Sequence, residues 1–145
     1  MASYAKRTWW TKHRLTERVR DDRFLEAVVT SAFVIAAADG SASDREYDAL
    51  LDRLELLGDV ERDRIDELLA TEANELEANG FDARIARVGD LIDDRDAAEA
   101  VFVVAMAIAL ADDEVSGEER EVATKLAAGL GIADVDLDRV IAELQ

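Results

Sequence analysis

Two stretches of the chain, Ala27–Ala38 and Ala100–Ala111, are uncharged for 12 residues each. A run of this length is long for a strand and short for a membrane span, which needs about 20 apolar residues. Each therefore predicts a helix apolar nearly all round, buried at the centre of a domain. The first helix is expected from about Phe24 to Ala38, with Asp39-Gly40 ending it, because glycine accommodates the backbone that closes helices. A second helix is predicted from Ser43. Ser43 and Glu46 form a capping box, in which each side chain satisfies a backbone N–H of the first turn. Tyr47, Leu50, Leu51, Leu54 and Leu57 then repeat on one face, with Asp44, Asp48, Asp52 and Arg53 on the other. Gly58 closes this helix.

The middle of the chain carries a weaker pattern. Ile65, Leu68 and Leu69 predict a short helix near residues 61–72. Asn79-Gly80 is a turn signal, and Phe81, Ile85, Val88 and Ile92 predict a further helix ending near Asp93. From Ala97 the opening pattern returns: an apolar helix to Ala111, a break at Asp112-Asp113, a capping box at Ser116 and Glu119, then Val122, Leu126 and Leu130 on one face and Gly131 as the stop. Leu137, Val140, Ile141 and Leu144 predict a final amphipathic helix. A weak helix is expected over about Lys6–Arg20.

The return is a repeat. A shift of 73 residues superposes residues 27–58 on 100–131 without gaps and with 11 identities, among them Ala38/Ala111, Asp39/Asp112, Ser43/Ser116, Glu46/Glu119 and Gly58/Gly131. The expected fold is therefore all-α, a helical bundle of about seven helices built from two pseudo-symmetric helix–loop–helix repeats, at about 24–58 and 97–131. A basic, Trp-containing N-terminal segment, residues 1–23, precedes the helical domain of residues 24–145.

Composition narrows the chemistry. The net charge is −17, from 34 acidic and 17 basic residues. Such a surface repels phosphate, so no nucleic-acid partner is expected. There is no cysteine and one histidine, His13, which removes thiolate chemistry and leaves little for a catalytic triad or a zinc site. No pairing of acid and base stands out, and no enzyme is expected. Residues 1–23 break the trend, with seven Lys or Arg against three acids, and with Tyr4, Trp9 and Trp10. Trp beside Lys and Arg is typical of membrane-surface segments, so peripheral membrane contact through this segment is an expectation, as is weak docking of the segment on its own acidic domain. The basic start is not followed by an apolar stretch, so no secretory signal is expected and a cytoplasmic location is.

The candidate site residues are the carboxylates that bracket each loop: Asp39 and Glu46 in the first copy, Asp112 and Glu119 in the second. With 19 Asp and 15 Glu in the chain, an Asp-x6-Glu spacing arises by chance about twice, so spacing alone means little. Context gives it weight, because each pair follows a buried helix, spans a loop and includes a capping Ser. Oxygen ligands without Cys or His suit a divalent cation such as Ca²⁺, Mg²⁺ or Mn²⁺ better than Zn²⁺. The spacing is shorter than that of an EF-hand. The competing reading has these acids cap helices and solvate the surface, in a helical protein–protein interaction module without metal whose acidity serves solubility or salt adaptation.

The sequence resembles the TerB tellurite-resistance family. The resemblance rests on Ala38-Asp39-Gly40-x-x-Ser43-x-x-Glu46 and on Ala111-Asp112-Asp113-x-x-Ser116-x-x-Glu119 through Leu130-Gly131, and it covers about residues 24–140. It implies an all-helical fold and acidic metal-chelating positions at Asp39, Glu46, Asp112 and Glu119. It also implies a role in tellurite resistance and stress response beside other Ter proteins, including the membrane protein TerC. Asp113 stands where the first copy has Gly40, a departure between the two loops.

Overall fold

The computed structural model describes Arg18 and residues 21–40, 44–56, 60–109 and 115–144. Among these residues all regular structure is helical, in six elements: α1 (Asp22–Ala36), α2 (Asp44–Glu55), α3 (Arg62–Leu91), α4 (Arg95–Ala109), α5 (Gly117–Gly129) and α6 (Leu137–Leu144).

The two apolar helices form the centre. Eleven residues of α1, from Phe24 to Ile35, and eleven of α4, from Ala97 to Ala109, are buried. The two helices pack on each other, and α1 also packs along α3. Phe102 and Met106 are the largest fully buried side chains of α4. Burying one such large side chain stabilises a fold by roughly 1.5–3 kcal/mol. The amphipathic helices cover this centre: α2 contributes Leu50, Leu51 and Leu54, and α5 contributes Val122, Ala123, Leu126 and Ala127. Leu137, Val140 and Ile141 hold α6 against the same core as partly buried side chains.

Local sequence explains most helix ends. α1 starts two residues before Phe24, because the Asp21 carboxylate accepts the Arg23 N–H at 2.9 Å and caps the first turn. Asp94 serves α4 in the same way, accepting from the backbone N–H groups of Asp96 and Ala97. At α5 the Ser116–Glu119 capping box is complete, with bonds of 3.0 and 2.9 Å. Gly131, at φ 77°, turns the chain after α5 and lets Ile132 fold into the core. Ser43, Leu57 and Gly58 of the first copy lie outside the described residues, as does the expected helix over Lys6–Arg20 apart from Arg18.

The middle differs from the sequence reading. The short helix expected at 61–72 continues to residue 79, because Ala73, Glu75, Leu76, Glu77 and Ala78 are all good helix formers. α3 then breaks at Gly80, whose φ of 85° and ψ of 173° are not helical, and resumes to Leu91. Among the described residues six elements are assigned, the third of them broken at Gly80 into two helical arms, at the turn expected for Asn79-Gly80. Arg53 also departs from its expected outward placement. It is partly buried, and its guanidinium donates to the Ile108 carbonyl at 2.9 Å, tying the end of α2 to the end of α4. At the opposite end Arg23 donates to the carbonyls of Asp90 and Leu91, the last turn of α3.

Candidate functional site

The four acids singled out in the sequence do not share one environment. Asp39 is exposed, just past the C-cap of α1 at Ala37, and Gly40 follows with φ 128°. Glu46 is exposed on the first turn of α2. The two carboxylates thus stand at the two ends of the 39–46 connection, both open to solvent. Glu119 is half-buried, and one of its oxygens already accepts the Ser116 N–H. Asp112 lies outside the described residues, with Asp113 and Glu114 beside it. Among the described residues, no three Asp, Glu or His side chains are grouped to hold one metal ion. The donor chemistry of these loops, carboxylate oxygen throughout, fits a hard cation.

Tyr47 anchors the other side of the first loop. Its hydroxyl donates to the Asp66 carboxylate at 2.9 Å and lies 3.2 Å from the Asp66 carbonyl, which pins α2 to α3. Partial burial, the hydrogen bond to Asp66 and the negative charges of Asp66 and Asp48 all favour the neutral phenol and push its pKa up to about 12. The unfolded value is near 10. The Tyr47 contribution to stability is therefore fully present below pH 10 and is lost as pH rises from about 10 to about 12. Phenolate absorbance should show one tyrosine of the folded protein titrating near pH 12, and Tyr47→Phe should remove that component. A folded protein in which every tyrosine titrates near pH 10 would contradict this geometry.

The structure adds a second polar site that the sequence reading missed. Glu72 is 2 % exposed, on the face of α3 that meets α1. The Thr30 hydroxyl donates to Glu72 Oε1 at 2.6 Å, and Arg84 forks onto both carboxylate oxygens, with Nε 3.1 Å from Oε2. The Glu72 carboxylate holds the Arg84 guanidinium above its usual range. Arg84 lies beyond the Gly80 break, so the ion pair clamps the two arms of α3 together. These groups form the floor of an open cleft of about 290 Å³, and Arg87 bonded to Glu26 at 2.9 Å stands at its rim. A signal was present in the sequence. Glu72 falls seven residues after Ile65 and three after Leu69, within the apolar stripe of its helix.

These features define a class of protein: an acidic all-helical domain with exposed carboxylates at a helix–helix connection and a buried ion pair locking its longest helix. The chain belongs to the TerB family, since the family described as tellurite resistance protein TerB matches residues 25–142. It is thus a tellurite-resistance-associated helical domain. No curated protein and no solved structure matches the chain. Among the described residues no helix is long and apolar enough to cross a membrane.

Proposed function

We propose that this is a non-enzymatic tellurite-resistance and stress-response protein of the cytoplasm. In this reading it binds divalent cations through its acidic inter-helix loops, at Asp39 and Glu46 and at Asp112 and Glu119. It works near the membrane with other Ter proteins, including a TerC-like membrane protein. The observation that supports this reading is the family match over residues 25–142, joined to the exposure of Asp39 and Glu46 at the two ends of one loop. Where carboxylates approach one another at a helix corner they repel, and a bound cation removes that cost. Ca²⁺, Mg²⁺ or Mn²⁺ would suit this donor set. The cation would clamp α1 to α2 and stabilise the fold by mass action, by about 2.7 kcal/mol at a hundred-fold excess over the dissociation constant.

The test is a calorimetric titration of Ca²⁺, Mg²⁺ and Mn²⁺ into the wild type and into Asp39→Asn/Asp112→Asn. Asn retains the capping capacity of Asp and removes the charge, so the variant separates the two roles. Saturable binding below the millimolar range is expected for the wild type, with loss in the variant. If the wild type shows no such binding, or the variant binds equally well, the acids serve capping and solvation. A second reading, an interaction module without metal, is favoured by one observation: Glu119 Oε1 is committed to the Ser116 backbone at 2.9 Å.

A further inference from the structure

The face between α1, α2 and α3 carries an apolar groove of about 500 Å³. Phe33 and Ala37, both nearly inaccessible, form its floor. Tyr47, Leu76 and Phe81 form its walls and are only partly buried. Two acids, Asp44 and Glu77, also line it, and both are exposed. A half-covered aromatic and aliphatic surface rimmed by negative charge calls for an occupant that is both apolar and cationic.

The chain itself holds a segment of that chemistry. Residues 1–17 carry Lys6, Arg7, Lys12 and Arg14 against a single acid, Glu17, together with Tyr4, Trp9 and Trp10. We propose that this segment docks in the groove of its own domain, with the Trp9-Trp10 pair on the apolar floor and its basic residues facing Asp44 and Glu77. An indole N–H needs an acceptor when buried, and either rim carboxylate supplies one. The reach is adequate. Arg18, whose guanidinium lies 5.9 Å from the Phe24 ring centre and pairs with Asp96, fixes where the segment leaves the domain. From the start of α1 to Phe33 the helix rises about 16 Å. The eight residues from Trp10 to Arg18 span up to about 28 Å when extended, but only about 12 Å as a helix. Docking therefore requires that the helix expected over Lys6–Arg20 give way to an extended tether between Trp10 and Arg18. Tethering keeps the effective concentration of the segment high, so weak contacts suffice.

Trp9 and Trp10 are the only tryptophans, so tryptophan fluorescence of the full chain reports this segment alone. The proposal expects blue-shifted emission and shielding from acrylamide in the wild type, independent of protein concentration. Leu76→Arg, which fills the groove with charge, should shift emission to the red and raise acrylamide quenching several-fold. Asp44→Lys/Glu77→Lys, two exposed changes that spare the core, should do the same if Leu76→Arg compromises folding; circular dichroism reads helicity in each. Emission at the urea-unfolded position in the wild type overturns the proposal, and so does unchanged quenching in variants of full helicity. Shielding that disappears on dilution places the segment in a second copy, and shielding that appears only with anionic vesicles places it on a membrane. Either result overturns docking within one chain.

Discussion

Arg84→Met should destabilise the domain by about 3–5 kcal/mol, the usual cost of removing one partner from a buried ion pair. Glu72 is 2 % exposed, held between α3 and α1. Without Arg84 its carboxylate retains the Thr30 hydroxyl and loses both guanidinium bonds. Glu75 offers no substitute, being a second acid, 3.8 Å from the same guanidinium. For a chain of this size the loss lowers the melting temperature by roughly 10–20 °C. The double variant Glu72→Leu/Arg84→Met should recover most of it, because well-packed apolar replacement of both partners removes the buried charge altogether. Thr30 then turns its hydroxyl to a carbonyl of the preceding helical turn. Urea denaturation of the two variants decides the matter. An Arg84→Met midpoint equal to that of the wild type would show that Glu72 does not depend on this pair.

Gly89→Ala is expected to destabilise, although helix propensity alone favours Ala over Gly by about 0.8–1 kcal/mol. The reason is a close crossing of the second arm of α3 with α5. A methyl group at position 89 would lie 2.6 Å from the Gly129 carbonyl oxygen, and backbone cannot yield as a side chain can. Separating the helices costs about 1–3 kcal/mol of packing, which exceeds the propensity gain. Gly129→Ala should cost less. Its methyl would meet Ile85 Cγ2 at 2.6 Å, the end of a side chain that can shift. Thermal melts of both variants give the order, and a Gly89→Ala protein more stable than the wild type would refute the close crossing.

The same contrast separates what could be read in the sequence from what could not. The two apolar helices, the amphipathic faces of α2, α5 and α6, and the Ser116–Glu119 box were legible because each depends on residues within one or two turns of each other. Helical periodicity repeats every 3.6 residues, and a capping box spans three. Asp21 does not stand out as a cap in the sequence, because it sits in a charged run where any of several residues could serve. Residues 73–79 carry too sparse an apolar pattern to predict a helix, while their helix-forming side chains suffice once α3 has α1 to pack against.

The tertiary structure alone decided the rest. Thr30 and Glu72 are 42 residues apart, and no local rule makes a glutamate face inward until a partner stands opposite. Gly89 and Gly129 look like weak points in two helices until the crossing shows that neither position has room for a methyl group. At the first candidate loop, the sequence placed Asp39 and Glu46 at the ends of a helix–helix connection, and both are there, exposed. Whether their carboxylates converge on one ion depends on the torsions of the residues between them. Hydrophobic periodicity carries no information about those torsions, because nothing in a solvent-exposed connection must repeat.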